Sequence, residues 1–175
     1  MIQLKVETAT LDKLSEVIEY YNDIIDNQPS DTYSAGFTKD IYPSRELLKK
    51  HILNHDLYIG LIDGNIVTCG VLTYGEEDMY RQGNWTIEAS DEETAILHLF
   101  AVKKEYRGKG ISNQMLKELL SIAGKKARVM HLDIMIGNLS AERLYLRNGF
   151  TYGGRVKVYY EDTGETEADL FEKKL

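Results

Sequence analysis

The spacing of hydrophobic residues predicts that the chain opens with a strand and two helices. Residues 2–7 alternate between apolar and polar positions, which is typical of a strand. The next segment begins at Thr10, a residue type that caps helices, and its apolar residues recur at helical spacing. These residues are Leu11, Leu14, Val17, Ile18, Tyr21 and Ile25. An aperiodic loop over residues 27–43 then leads to a short helix that Ser44 is expected to cap.

The middle of the chain predicts three strands. Residues 57–62 and 66–74 are apolar runs on either side of Asp-Gly-Asn, the composition of a tight turn, so they are expected to pair antiparallel. An acidic loop over residues 75–93, expected to be exposed, leads to residues 94–102. This last run is apolar except at His98, as is typical of a strand covered on both faces.

The hydrophobic period changes repeatedly in the rest of the chain. Residues 110–124 have helical spacing, residues 129–136 alternate as a strand, and residues 138–150 predict a short helix. Two final strands, residues 150–160 and 167–175, are expected on either side of a turn. The whole pattern predicts one α+β domain, residues 1–175, with a mixed, mainly antiparallel sheet.

Composition narrows the class of protein. With 175 residues, 43% of them hydrophobic, the chain is long enough to bury a core. It has no apolar run of membrane-spanning length and no signal-peptide core at its N-terminus, so we expect a cytoplasmic protein without a membrane partner. The one cysteine, Cys69, lies in an apolar run, which favours a buried side chain over a nucleophile and excludes a disulfide scaffold.

Charge points to a local anion site in an acidic protein. The formal net charge of −7 argues against a nucleic-acid partner. A short cationic cluster nevertheless follows the strand over residues 94–102; it consists of Lys103, Lys104, Arg107 and Lys109. A helix start is predicted there, where free backbone N–H groups and the helix dipole favour an anion. Gly108 and Gly110 allow the backbone to approach a ligand closely.

The spacing of this loop excludes two phosphate-binding motifs and resembles a third. Gly110 stands where a nucleotide-hydrolase loop needs Ser or Thr, and Asn113 stands where the dinucleotide fingerprint needs a third glycine. The stretch LFAVKKEYRGKGISNQML instead resembles the acetyl-CoA signature of the GNAT superfamily of N-acetyltransferases. The signature residues are Arg107, Gly108, Lys109, Gly110, Ile111 and Ser112. Ser112 replaces the Gly or Ala that the family usually has.

A second block and the order of elements resemble the same family. The matching residues are Asn138, Ala141, Leu144, Tyr145, Gly149 and Phe150. The predicted order of strand, two helices, three strands, helix, strand, helix and two strands also fits. The resemblance implies a GNAT-like three-layer fold, with a mixed, mostly antiparallel sheet of about seven strands flanked by about four helices.

The resemblance implies acetyl-CoA as co-substrate and no metal. In this family the signature strand and the next strand splay apart, here residues 94–102 and 129–136, and the pantetheine arm lies between them. The diphosphate would lie over residues 107–112, and Asn138 is assigned to the same site. The strand residues whose backbone would pair with the pantetheine amides are Phe100, Ala101 and Val102.

The resemblance also implies direct attack of a primary amine on the thioester. Tyr145 falls where the family commonly has a tyrosine near the sulfur, so it is the expected general acid, with a core aromatic role as the alternative. His98 is the expected base, because it is a polar residue in an apolar strand. A hydrogen-bonded core role for the histidine, or a base role for water, Glu88, Glu92 or Glu93, stays open.

The acceptor is expected near an aromatic loop and an acidic segment. The loop contains Tyr33, Phe37 and Tyr42, and the acidic segment is residues 76–78, which favours a cationic amine unless it is merely solvated. A small polyamine, an amino sugar, an amino acid and a protein N-terminus all remain open, as does the acyl chain. The alternative function is a sensor or scaffold that binds acyl-CoA without turnover. A homodimer through the terminal strands is a family-level expectation.

Overall fold

A sheet of seven strands forms the middle layer of the protein. The computed structural model describes residues 3–31, 35–160 and 163–175. The strands are β1 (Lys5–Thr8), β2 (Leu57–Ile62), β3 (Asn65–Tyr74), β4 (Thr94–Val102), β5 (Val129–Met135), β6 (Thr151–Tyr160) and β7 (Gly164–Lys174). Their order is β1-β2-β3-β4-β5-β7-β6, and only β4 and β5 pair parallel. The predicted mixed, mainly antiparallel sheet is therefore confirmed.

Helices cover both faces of the sheet. In the described part of the chain they are α1 (Leu14–Asn27), α2 (Arg45–Leu53), α3 (Ile111–Ala123) and α4 (Leu139–Arg147). Residues of α1 and α2 pack with Val71 of β3, whereas residues of α3 and α4 pack with its neighbour Leu72. Successive strand residues point to opposite faces, so the helix pairs form the two outer layers. None of the helices in these residues is long and apolar enough to cross a membrane.

Two predicted boundaries differ from the structure. Thr10 is extended and forms no capping hydrogen bond; residues 11–13 form a 3₁₀ turn, and the α-helix begins at Leu14. β7 begins at Gly164, inside the predicted turn, because the ladder with β6 continues to the pair Tyr160 and Gly164. Residues 161 and 162 of that turn lie outside the described residues. The Ser44 cap is confirmed, since its side chain accepts a hydrogen bond from the Leu47 N–H.

The central strands separate as predicted. β4 pairs with β5 only where Thr94–Ile96 faces Val129–His131. On its other edge the register with β3 shifts between Cys69 and Val71, and Leu99 has a φ of 52°. Such a bulge bends the strand that carries it, and the later residues of β4 leave β5 and border a gap.

Two tyrosines of α1 bind the backbone at this bulge. The Tyr20 hydroxyl accepts from the Cys69 N–H at 3.2 Å and donates to the Ala101 carbonyl at 2.5 Å. The Tyr21 hydroxyl donates to the Leu99 carbonyl at 2.8 Å. Both side chains are buried. The hydroxyls therefore give the Cys69 N–H and the Leu99 carbonyl their partners, whereas the Ala101 carbonyl also accepts from Thr68.

The acidic loop between β3 and β4 is partly buried, contrary to the expectation that it is exposed. Tyr80 is fully buried, and the Trp85 ring stacks on His131 of β5 at 3.8 Å. The Trp85 ring also lies against Gly153 of β6, where an added Cβ would come within 2.3 Å of it. Tyr80 and Trp85 therefore hold the loop against the sheet. The acidic composition of the loop gave no indication of this anchoring.

Candidate active site

The loop before α3 has the backbone geometry of an anion site. Gly108 and Gly110 have φ values of 72° and 79°, in the region that favours glycine. Gly110 immediately precedes the first turn of α3. A Cβ at either position would meet nothing within 4 Å, so the backbone here borders open space. The free N–H groups and the positive end of the helix dipole therefore face a space that an anion can enter.

Cationic side chains border this loop. Arg107 donates from Nε to the Val102 carbonyl at 3.0 Å and from Nη1 to Asp31 at 2.7 Å. Lys104 forms an ion pair with the same carboxylate at 3.7 Å and a hydrogen bond with Ser30. The two cations therefore lie side by side at the rim, held by one largely buried carboxylate.

The signature residues divide between the cleft and the core. Arg107, Gly108, Gly110 and Ser112 line a cleft of about 860 Å³. The Lys109 ammonium instead lies 5.5 Å from the centre of the Tyr106 ring. Ile111 is 1% exposed and packs in the core, so only its backbone is available to a ligand.

The cleft extends along β4 to a second cavity. Phe100, Ala101 and Val102 line the cleft from the strand, and Asn138 lines it from the start of α4. The second cavity measures about 360 Å³. The residues that line both are Ala35, Phe100, Asn138 and Ala141. The two spaces therefore adjoin where β4 has left β5, and Asn138, which caps α4 by accepting from the Ala141 N–H, lies at their junction.

Tyr145 reaches this junction from α4. It is 5% exposed, lines the second cavity and packs edge-on against Phe150 at 5.3 Å. Its hydroxyl forms no hydrogen bond with any described residue. Burial, and secondarily the charge of Asp133, raises the pKa of Tyr145 well above the ordinary tyrosine value. The phenol therefore keeps its proton and can donate it in the cavity.

His98 faces the second cavity and pairs with a glutamate. Its Nε2 lies 3.0 Å from Oε1 of Glu77, and its side chain is 17% exposed. The hydrogen bond with His98 holds the pKa of Glu77 below its usual range, so this carboxylate stays charged. The glutamates suggested as alternative bases, Glu88, Glu92 and Glu93, line neither cavity.

The acidic and aromatic segments contribute only some of their residues. Glu77 lines the cavity, whereas Glu76 is turned inward, with Oε2 3.0 Å from Nδ1 of His131, and Asp78 is exposed. Phe37 and Tyr42 also line the cavity. Tyr33 lies outside the described residues.

Asp133 is a site residue that the sequence reasoning missed. It lies on β5, lines the second cavity and accepts hydrogen bonds from Tyr80 at 2.6 Å and Tyr160 at 2.5 Å. Burial, followed by the nearby Asp133 charge, raises the pKa of Tyr80 well above its ordinary value, so this donor stays protonated. The signal was present in the alternation of β5, whose polar positions His131 and Asp133 lie on one face.

Solved structures with the same fold are numerous. An acetyltransferase of the GNAT family from Streptococcus agalactiae 2603 matches with a TM-score of 0.76 and 22% identity, over 100% of this chain and 98% of that one. A ribosomal-protein-alanine N-acetyltransferase from Brucella melitensis matches with a TM-score of 0.73 and 19% identity, over 98% and 99% of the two chains. The protein therefore has the GNAT fold, as predicted.

Sequence comparison gives the family. The model described as "Acetyltransferase (GNAT) family" matches residues 19–150, and the chain belongs to this family. A Bacillus subtilis (strain 168) protein with the provisional name [ribosomal protein bS18]-alanine N-acetyltransferase is 32% identical over 84 residues, 47% of this chain and 53% of that protein. The spermine/spermidine N(1)-acetyltransferase of the same strain is 36% identical over 62 residues, 34% and 41% of the two chains. The chain thus matches about half or less of the length of these relatives.

Proposed function

We propose that the protein transfers the acetyl group of acetyl-CoA to a primary amine by direct attack of the amine on the thioester. One observation carries the proposal. The gap opened by the departure of β4 from β5 joins an anion loop to a cavity that contains a histidine-glutamate pair and a protonated tyrosine. A site with these three parts can hold a long anionic thioester and manage two proton transfers.

The residues present fit acetyl-CoA, which would supply the activated acetyl group. The N-terminus of α3, with Gly108 and Gly110, offers N–H groups to a diphosphate, and Arg107 offers a guanidinium beside them. Phe100 to Val102 of β4 border the cleft where that strand has no β5 partner. The described residues contain no cluster of three or more His, Cys, Asp or Glu side chains arranged to hold a metal ion.

His98 and Tyr145 would perform the proton transfers. With Glu77 accepting from Nε2–H, the Nδ1 atom of His98 carries a lone pair that can take a proton from the attacking amine. As the new C–N bond forms and the C–S bond breaks, Tyr145 would donate its hydroxyl proton to the leaving sulfur. The amine proton and the thiol proton then balance, and bulk solvent restores both side chains.

Calorimetric titration of acetyl-CoA, desulfo-CoA and ADP tests the binding half of this proposal. Gly110→Glu places a carboxylate in the anion loop, and Gly64→Glu is its matched control. Gly64 has a φ of 80° and open surroundings like Gly110, but lies in the β2–β3 turn. We expect saturable acetyl-CoA binding that Gly110→Glu weakens at least about tenfold and Gly64→Glu does not. No acetyl-CoA binding by the unmodified protein would refute the proposal.

Release of coenzyme A in the presence of a panel of amines tests the transfer half. Turnover with any amine supports an enzyme. Tight acetyl-CoA binding without release for every amine would instead favour a sensor or scaffold.

A further inference from the structure

The two joined cavities have opposite charge. The larger cleft is lined by the cationic residues Lys104, Arg107, Arg143 and Arg147, and Asp31 is the one acidic residue among the described residues that line it. The smaller cavity is lined by the carboxylates of Glu77 and Asp133, and no Lys or Arg is among the described residues that line it. The charge of the cleft suits an anionic co-substrate. The charge of the second cavity suits a cationic group on the acceptor.

Both carboxylates retain hydrogen-bonding capacity. Glu77 uses Oε1 for His98, and its Oε2 forms no hydrogen bond with a described residue. Each oxygen of Asp133 accepts one tyrosine hydroxyl, and a carboxylate oxygen has room for a second donor. The two carboxylates can therefore each accept an ammonium donor without giving up the bonds that orient them.

Tyr80 lies next to His98, the partner of Glu77, and next to Asp133. The Tyr80 ring lies 6.2 Å from the His98 ring, and its hydroxyl bonds Asp133. One carboxylate therefore binds the proposed base, and the other binds the Tyr80 hydroxyl. Two separate carboxylates in one cavity suit two cationic centres of one molecule.

Aromatic rings form much of the remaining wall. Phe37, Tyr42, Tyr159 and Tyr160 line the cavity together with the carboxylates. Ring faces attract ammonium groups and pack against methylene chains. A carboxylate on the acceptor would meet Glu77 and Asp133 without a cation to offset them, so amino acids and free peptide C-termini are disfavoured.

We propose, on the basis of the acetyl transfer proposed above, that the acceptor is an aliphatic diamine or polyamine. One amine loses its proton to His98 and is acetylated, while a second ammonium group remains charged and binds Asp133. Glu77 then pairs with the protonated His98, and the negative charge of Asp133 is balanced by the ammonium group that the substrate keeps.

Rates of coenzyme A release with three acceptors of matched length test this inference. The acceptors are 1,3-diaminopropane, butylamine and 4-aminobutyrate, which share an amine on three methylenes and differ only in an ammonium, methyl or carboxylate terminus. We expect kcat/KM to be at least about tenfold higher for the diamine than for butylamine, and lowest for 4-aminobutyrate, since the terminal charge meets Asp133. Equal values for butylamine and the diamine, or a preference for 4-aminobutyrate, would overturn it.

The Asp133→Asn substitution tests whether Asp133 is responsible for the preference for the diamine. We expect it to lower kcat/KM for the diamine about tenfold more than for butylamine, because only the diamine has a second ammonium group that Asp133 would bind. Glu118→Gln, which removes one charge from the exposed face of α3, is the control and should leave the diamine preference unchanged. A diamine preference that survives in Asp133→Asn would contradict the assignment of Asp133.

The acyl transfer and the acceptor class can fail separately. If acetyl-CoA binds and several amines turn over without a diamine preference, only the acceptor class is wrong. If acetyl-CoA binds and no amine turns over, the affinities of the diamine and butylamine are compared by calorimetric titration into protein saturated with desulfo-CoA. Equal affinities would refute the diamine site. If acetyl-CoA does not bind, the proposed function itself fails, and the acceptor inference falls with it.

Discussion

Tyr145 and His98 owe their chemical suitability to opposite surroundings. Tyr145 is almost fully buried and has no hydrogen-bond partner among the described residues, so its proton is retained. His98 is partly exposed to the cavity and is oriented by Glu77. The buried phenol is suited to donate a proton, and the oriented imidazole is suited to accept one.

Tyr145→Phe separates a catalytic role from a packing role. The substitution removes only the hydroxyl, and the ring contacts with Phe150 and Phe100 remain. We expect a nearly unchanged dissociation constant for acetyl-CoA and a kcat lowered about 100-fold, the lower end of the usual general-acid contribution. Calorimetry and steady-state rates measure the two quantities. An unchanged kcat would make Tyr145 a core aromatic residue.

The raised pKa of Tyr145 predicts the alkaline side of the pH profile. An ordinary tyrosine loses its proton near pH 10, and a raised pKa moves this loss to higher pH, so the acid form persists through the neutral and mildly alkaline range. We expect kcat at saturating substrates not to fall between about pH 7 and about pH 9.5. A fall with a midpoint near pH 8 that disappears in Tyr145→Phe would contradict the assigned direction.

At the scale of the elements, the position of β4 depends on α1. The bulge removes backbone groups of β3 and β4 from the ladder, and the Tyr20 and Tyr21 hydroxyls replace the missing partners. Helix α1 packs on the opposite face of the sheet from α3 and α4, and its Ile24 also lines the cleft. Tyr20 and Tyr21, which line neither cavity, thus stabilise the segment of β4 that leaves β5.

Tyr20→Phe tests this support. It leaves the buried Cys69 N–H without its partner, which costs about 1–3 kcal/mol of unfolding free energy. We also expect weaker acetyl-CoA binding, because the bent segment of β4 borders the cleft. Thermal or urea unfolding and calorimetry measure the two effects. The control, Tyr152→Phe on the exposed side of β6, should change the unfolding free energy by no more than about 0.5 kcal/mol.

A destabilised Tyr20→Phe protein with unchanged acetyl-CoA affinity would separate the two roles. It would mean that the bulge keeps its shape without the hydroxyl, and that Tyr20 contributes to stability alone.

At the scale of the whole molecule, the proposed co-substrate is an anion, whereas the protein has a net charge of −7. Charges at the cleft decide this, because screening limits interactions between exposed charges to about 10 Å at 0.1 M salt. Arg107 and Lys104 line the cleft itself, whereas most of the acidic surplus lies elsewhere. The local cations therefore outweigh the overall charge for a ligand in the cleft.

Salt dependence of acetyl-CoA binding tests which charge dominates. We expect the dissociation constant to rise when the NaCl concentration is raised from about 0.05 M to about 0.5 M, since added salt screens the attraction to the local cations. Calorimetric titration at several salt concentrations gives the slope. Arg143→Gln should flatten it, and Lys117→Gln, on the exposed face of α3, should not. A dissociation constant that falls with salt would mean that the overall negative charge dominates.

The sequence alone was sufficient for the order of elements, the mixed sheet, the Ser44 cap and the glycines of the anion loop. These features depend on local spacing and on residues with distinctive backbone preferences, which are visible over a few positions. The two motif blocks were sufficient for the family. The exposed character assigned to the acidic loop was wrong for its aromatic residues, because the anchoring of Tyr80 and Trp85 depends on strands distant in sequence.

Only the tertiary structure decided which polar side chains share the second cavity. Glu77 meets His98 across 21 positions, and Tyr80 meets Asp133 across 53. No spacing rule links residues brought together by the curvature of a sheet and the path of a loop. The opposite charges of the cleft and the second cavity also cannot be predicted from the composition. Opposite charges cancel in the net charge, and only the fold separates them in space.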